Sequence, residues 1–183
     1  MKKITILNGI TDEKYINFED ALEKINERNQ RKFSCECFTL RKININYCCG
    51  CWNCWVKTPG ECTQKDEMPK ILRSIINSDL TVFISPILMG FSSSYLKKAT
   101  DKLLPLLHPY IGIYENECHH KERYDRYPKL GLMLLDDKTN ALSDLSIITD
   151  IYKRISVNMR SELAFTCISA GNVEVLENEI NRV

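Results

Sequence analysis

Leu80-Thr81-Val82-Phe83-Ile84-Ser85-Pro86-Ile87-Leu88-Met89-Gly90-Phe91-Ser92-Ser93-Ser94 holds an apolar β-rich run, a Pro- and Gly-bearing connection and a serine-rich entry to a helix. The run from Leu80 to Pro86 is apolar almost throughout, as expected of a strand covered on both faces of a parallel sheet. Pro86 lacks a backbone N–H and is expected to stop that strand. Beyond the serines, Leu96, Ala99, Thr100, Leu103 and Leu104 recur at helical spacing.

The same alternation extends in both directions. Lys3-Ile4-Thr5-Ile6-Leu7 reads as a buried strand, and Asn17 to Asn29 as a helix carrying Phe18, Ala21, Leu22 and Ile25. A β-rich segment runs from Lys32 to Leu40. Asp66 is placed to cap a helix whose Met68, Ile71, Leu72, Ile75 and Ile76 form one stripe, with Pro69 tolerated in the first turn. Downstream come an irregular excursion over 105–129, a strand at Leu130–Leu135, a helix over Asn140–Asn158, a strand at Ala164–Ser169 and a helix over Asn172–Val183. Strands separated by helices require crossovers, so the fold class is α/β: a doubly wound sheet of parallel strands with helices on both faces, read as a single domain over 1–183. Ligands of such sheets bind beyond the carboxyl ends of the strands. That points to the loops Asn8–Asp12, Ser85–Ser94 and Asp136–Asn140.

Composition narrows the function. The chain has 183 residues with 25 Lys+Arg against 24 Asp+Glu, a net charge of +1. Residues 1–92 carry 13 basic and 11 acidic side chains, and residues 93–183 carry 12 and 13. Nucleic-acid binders need a basic excess or stripe, so nucleic acid is not expected as a partner. No apolar run is long enough to span a membrane, and the N-terminus lacks the pattern of a secretory signal; a cytoplasmic location is expected. Nine cysteines in such a chain argue against a disulfide framework.

Five of those nine fall between Cys48 and Cys62, within the loop 47–65. Cys48, Cys51, Cys54 and Cys62 follow C-x2-C-x2-C-x7-C, with Cys49 as an extra thiol. Closely spaced thiolates converge on one small centre, and this spacing is nearer to ferredoxin-type iron–sulfur ligation than to a two-knuckle zinc site. A metal-free loop of packed thiols, zinc, and a redox pair at Cys48-Cys49 are the other readings. Gly50 permits a tight turn, and Trp52 and Trp55 could shield a cluster. In the connection after the third strand, Gly90 allows backbone to approach a flat heteroaromatic ring.

The order and spacing of Cys48-Cys49-Gly50-Cys51-Trp52-Asn53-Cys54-Trp55 with Gly60-Glu61-Cys62, then Asp66-Glu67-Met68, then Ser85-Pro86-Ile87-Leu88-Met89-Gly90 with Leu96-Lys97 and Asp101 resemble the flavodoxin-like NAD(P)H-dependent FMN reductase and iron–sulfur flavoprotein family. The resemblance implies a flavodoxin-like sheet of five parallel strands in the order 2-1-3-4-5, an arrangement for which flavodoxin is itself the standard example. It implies FMN held by Ser85, Pro86, Ile87, Leu88, Met89 and Gly90, with its phosphate on the first loop at Asn8, Gly9 and Thr11. It further implies a possible iron–sulfur cluster on Cys48, Cys51, Cys54 and Cys62, NAD(P)H or a small redox protein as electron donor, and a homodimer or homotetramer.

One passage departs from the family pattern. The first loop reads Asn8-Gly9-Ile10-Thr11-Asp12-Glu13-Lys14, and the carboxylates of Asp12 and Glu13 would repel a phosphate dianion unless they point outward. The expected function is an FMN-dependent oxidoreductase passing electrons from a nicotinamide through flavin to an acceptor. The alternative is a flavodoxin-like binding or regulatory module without flavin, its cysteines serving metal binding or thiol sensing. Cys118-His119-His120 is a weaker metal motif, Lys97 and Asp101 read as a surface ion pair, and Tyr110, Tyr114, Tyr124 and Tyr127 read as a subunit contact or cover.

Overall fold

The computed structural model describes residues 1–29, 32–136 and 142–183, with the backbone alone at 142–144. Strands β1 (Lys2–Asn8), β2 (Phe33–Thr39), β3 (Leu80–Leu88), β7 (Lys129–Leu135) and β8 (Leu163–Ser169) pair in parallel in the order β2-β1-β3-β7-β8. This is the order the family resemblance implies. Helices α4 (Met68–Ile76), α5 (Ser94–Asp101) and α6 (Leu142–Asn158) cover one face. Their Met68, Ile71, Ile75, Leu96, Ala99 and Tyr152 meet Leu7, Phe83 and Leu132 of the sheet. On the other face α1 (Ile16–Glu23), α2 (Ile25–Asn29) and α7 (Val173–Arg182) bring Phe18, Leu22, Ile25, Leu176 and Ile180 onto Ile4, Ile6, Val82 and Met133. The helix expected over 17–29 is thus two short ones, broken at Lys24.

Two further expectations are corrected. Pro86 does not stop β3, which continues to Leu88 with Pro86 in register with Leu135 of β7. The reason lies in the sheet. Gly9 N–H donates to Ile84 O at 2.8 Å, so the even-numbered residues of β3 turn their backbone groups toward β1. Since β1 ends opposite Ile84, the missing donor of Pro86 faces a side with no strand to receive it. Beyond Pro86 the chain turns back at once, pairing Leu88 with Phe91 of β4 (Phe91–Ser92).

The second correction concerns 105–129. It is not irregular: β5 (Leu107–Tyr114) and β6 (Glu117–Glu122) form an antiparallel hairpin. Glu115 and Asn116 at its tip have φ of 50° and 62°, the left-handed pair of a two-residue hairpin turn. Pro109 and Gly112 hide the strand pattern in sequence, and the register shift between Leu107 and Ile111 absorbs the proline.

At the open edge of the main sheet, Asn26 pairs with the outward backbone of β2. Its side-chain amide donates to Cys35 O at 2.7 Å and its carbonyl accepts from Cys35 N–H at 2.6 Å. A side chain here stands in for part of a neighbouring strand and blunts the edge.

Candidate functional site

The carboxyl ends of β1 and β3 meet at a small hub of serines. Ser93, the N-cap of α5, accepts a hydrogen bond from Leu96 N–H at 3.3 Å and donates its own hydroxyl to Gly9 O at 2.6 Å. Its backbone N–H donates to the Ser85 hydroxyl at 2.8 Å, which in turn donates to Pro86 O at 2.8 Å. Ser85 and Ser93 are fully buried. Gly9 fits only as glycine: a Cβ there would lie 2.8 Å from Leu96 Cβ, 2.8 Å from Ser93 Oγ and 2.9 Å from Ile84 O. The first loop, the end of β3 and the start of α5 are therefore one rigid assembly.

Above this hub stand the two loops singled out from sequence. Met89 and Gly90 have φ of 51° and 75° and form the two-residue turn between β3 and β4. Met89 is wholly exposed and Leu88 is partly so. The turn presents peptide backbone and two soft apolar side chains at the rim, a surface suited to one face of a planar ring. Ile87 is buried beneath them.

The first loop is less open than its sequence alone suggests. Asn8 is buried, donating from its amide to Glu19 at 2.5 Å and accepting from Ile10 N–H at 3.0 Å. Glu19 is held in turn by the Arg41 guanidinium through two contacts, one of 2.7 Å. Asn8 thus shapes the loop from below instead of facing the rim. Thr11 donates to Asp12 at 3.3 Å, and the Asp12 carboxylate accepts Lys14 N–H at 3.0 Å. An internal carboxylate already occupies a backbone donor of the kind a phosphate would use. Asp12 and Glu13 are both exposed. The exposed Leu88–Gly90 turn has the chemistry to meet a flat ring, whereas on the first loop the Thr11 hydroxyl is turned to Asp12 and the loop carries exposed negative charge where a phosphate would lie. Asp136, at the end of β7, is buried, whereas Asp137 to Asn140 of the third expected loop lie outside the described residues.

The cysteine loop is closed at its neck. Asp66 accepts hydrogen bonds from Asn46 N–H at 2.9 Å and Met68 N–H at 3.0 Å, and its carboxylate also meets the Lys102 ammonium of the segment after α5. It holds the first N–H of α4 from one residue before the N-cap, which is Glu67 and not the expected Asp66. Both side chains of that ion pair are out of solvent, Asp66 at 0% and Lys102 at 2% exposure. Burial would push the Asp66 carboxyl up, but the ammonium and the two N–H donors together outweigh it and hold the group below its ordinary range. Glu67 adds a second rung, accepting Asn44 N–H at 2.9 Å. Farther out, in the short helix α3 (Asn53–Val56), the Trp55 indole donates to Leu104 O and Leu107 O, both at 3.0 Å, and stacks on Trp52 at 5.0 Å between centroids. The loop is thereby tied at its neck and at one aromatic anchor.

Its thiols differ in character. Cys48, Cys49 and Cys51 are exposed, Cys54 and Cys62 half-buried, and no cysteine is in a disulfide. Burial, and then the negative charge of Cys62, Cys48 and Cys51, push the Cys54 thiol up. Cys51 is held below its ordinary value, chiefly by Asn53 N–H. Among the described residues no three His, Cys, Asp or Glu side chains converge to hold a metal ion as they stand. Cys35, Cys37 and Cys167 are pushed up to about 12, mainly by burial, and serve as packing. Successive residues of β6 point to opposite faces: His119 meets Glu117 at 3.1 Å while His120 packs at a tilt of 50° against Trp55, so this pair does not converge either. Lys97 and Asp101 form the expected ion pair. Tyr127 is structural, donating to Leu106 O at 2.6 Å, whereas Tyr110 is exposed.

Residues 3–118 match the profile of the family described as NADPH-dependent FMN reductase. A curated protein of Archaeoglobus fulgidus, an iron-sulfur flavoprotein, is 32% identical over 109 residues, covering 59% of this chain and 48% of the relative. The chain therefore spans about half the length of the curated relative it matches. Among solved structures, an FMN-dependent NADH-azoreductase from Bacillus anthracis in complex with FMN aligns with a TM-score of 0.58 at 16% identity, over 100% of this chain and 95% of that one. The Trp repressor binding protein from Bacillus subtilis aligns with a TM-score of 0.55 at 13% identity, over 97% and 94%. At those identities the likeness is one of fold. No helix among the described residues is long and apolar enough to cross a membrane.

Proposed function

Because the chain belongs to the NADPH-dependent FMN reductase family, we propose that it is an FMN-dependent oxidoreductase that takes reducing equivalents from a nicotinamide and delivers them to a separate acceptor. The observation that carries this reading is the hub at Ser93, which ties Gly9 of the first loop to Ser85 of β3, the strand that leads into the Leu88–Gly90 turn. FMN, when bound, supplies the hydride and electron chemistry. The chain's own part is to bind and orient. Leu88, Met89 and Gly90 would form the bed for the ring, with Ser85, Pro86 and Ile87 supporting it from beneath; Gly9 lets the first loop approach closely, and its backbone N–H groups, with Thr11 once released from Asp12, would meet the phosphate. No side-chain acid or base is required of the protein.

Cys48, Cys51, Cys54 and Cys62 are the residues that would hold an iron–sulfur cluster, which would supply one-electron transfer to an external carrier. Four thiols gathered on one tethered loop are the right donor chemistry, and the Archaeoglobus fulgidus relative's description supports the same reading. Exposed Tyr110, Ile111 and Ile113 on the hairpin offer an apolar surface for a second copy of the chain.

The test is direct. Protein purified without oxygen is titrated with FMN while flavin fluorescence and NADPH oxidation are followed, and iron is assayed alongside. Quenching and NADPH consumption are expected, with iron lost in Cys51→Ser; a fully iron-loaded Cys51→Ser variant would overturn the ligand assignment. One observation favours the flavin-free reading, namely Asp12 on Lys14 N–H. Under that reading FMN fluorescence stays unquenched.

A further inference from the structure

At the opposite, amino-terminal end of the strands the sheet changes character beneath α4. Leu7, Phe38 and Phe83 lie side by side across β1, β2 and β3 and pack into the core. One layer down on the same face, Thr5 stands between Glu36 and Thr81, and beyond it Lys3 is beside Ser34. The apolar layer therefore gives way to a polar one across three adjacent strands. The helix above matches it, presenting Arg73 and Ser74, followed by Asn77 and Ser78. A sheet face beneath a helix is ordinarily apolar. Here the seam floors a groove of about 440 Å³, open to solvent and lined by Lys3, Thr5, Ser34, Glu36, Lys70, Arg73, Ser74 and their neighbours.

We infer that this groove is a second ligand site, for a small molecule bearing a phosphate group. Its volume falls within the roughly 300–1,000 Å³ of small-molecule sites. Its rim carries three cations against one carboxylate, Glu36, which lies 3.9 Å from Lys70. Among the described residues no carboxylate pairs with the Arg73 guanidinium or the Lys3 ammonium. A planar guanidinium beside an ammonium matches phosphate oxygens in charge and geometry. The floor adds hydroxyls. Thr5 and Ser74 share one hydrogen bond of 2.7 Å, which uses one of their two hydroxyl protons and leaves the other to donate. The Asn77 amide nitrogen is committed to Arg73 O at 2.7 Å, leaving its carbonyl oxygen as an acceptor for a ligand hydroxyl. None of these residues belongs to the flavin rim, so the inference stands whether or not FMN binds.

The test uses the full chain labelled with ¹⁵N and titrated separately with inorganic phosphate and with ribose 5-phosphate while amide shifts are followed. Saturable shifts are expected at the amides of Ser34, Ser74 and Ser78. Arg73→Gln and Lys3→Gln, both at exposed positions, should each weaken binding by tenfold or more and leave the rest of the spectrum unchanged. Lys14→Gln, on the first loop, should bind as the parent does. Tighter binding of the sugar phosphate assigns the floor hydroxyls to the ester, and equal binding assigns the site to free phosphate; both uphold a phosphate site. Shifts confined to Thr11 and Lys14, no saturable shift, or unchanged affinity in the Arg73 and Lys3 variants would overturn it. Loss of FMN binding is read at different amides, those of Thr11 and Met89, so the two failures are distinguishable.

Discussion

Ser93 donates its hydroxyl to the backbone carbonyl of Gly9 across 2.6 Å while capping α5 with the same oxygen. One buried atom thus fixes the position of the first loop and starts the helix that follows the third strand. Ser93→Ala removes both interactions and strands the Gly9 carbonyl, with a cost of about 1–3 kcal/mol. Urea unfolding should show that loss in the midpoint, and FMN affinity should fall as the rim loosens. A variant with unchanged midpoint and affinity would show that the hub does not hold the rim.

Asp12 places a carboxylate on Lys14 N–H at 3.0 Å, where phosphate charge is otherwise welcome. Asp12→Asn keeps an acceptor for that turn and removes the charge. FMN should bind about 3- to 10-fold tighter, with riboflavin, which lacks phosphate, unaffected, since a screened surface charge contributes roughly 1 kcal/mol. Fluorescence titration with both flavins reads the difference.

Met89 sits at φ 51° on the exposed turn tip, a conformation disfavoured for a side chain bearing Cβ. Met89→Gly relieves that strain but loses chain entropy on folding, so a small net stabilisation of up to about 1 kcal/mol is expected. Flavin affinity should nonetheless drop if the thioether contacts the ring. Opposite movement of thermal midpoint and affinity is the signature to look for.

The buried pair of Asp66 and Lys102 makes a prediction in pH. The Asp66 carboxyl is held below its ordinary value of 3.8 in the folded chain. Its contribution to stability is therefore fully present above the unfolded value and is lost as pH falls through the folded one. Parent protein and Lys102→Met, compared by urea unfolding, should differ by about 3–5 kcal/mol at neutral pH, because the variant leaves a buried charge unpaired. Without the ammonium, burial raises the carboxyl in the variant, so the gap should begin to narrow as pH falls through that raised value and be lost once the parent's own carboxyl protonates, below 3.8. A gap independent of pH would mean that the carboxyl is not the group that matters.

The layering of this fold was legible because its strands are long apolar runs with a helical period between them, as at Leu80–Ile84 and Met68–Ile76. What escaped depends on partners distant in sequence. Pro86 reads as a strand stop until β1 is known to end opposite Ile84. The hairpin at 107–122 is hidden by Pro109, whose effect a register shift absorbs. At the site, the sequence identified the loops and the cysteines, but not that Asn8 faces Glu19 or that Asp66 binds both ends of the cysteine segment. Those are properties of side-chain direction, which spacing alone does not encode. The polar seam beneath α4 was also missed, since Lys3, Ser34 and Arg73 meet only once β1 and β2 are in register and α4 lies over them.

The neck formed by Asn44 and Asn46 with Asp66 and Glu67 has a consequence for the length of the loop. Between its rungs the chain returns to the scaffold through Trp55 and through Gln64, which shares the Lys102 ammonium, while the stretch holding Cys48, Cys49 and Cys51 is exposed. Because closing a longer loop costs little more than closing a shorter one, about 0.6 kcal/mol per doubling, such a segment can be lengthened, trimmed or stripped of its thiols without redrawing the scaffold. Deleting residues from the exposed stretch should therefore leave the parallel sheet and its Ser93 hub intact.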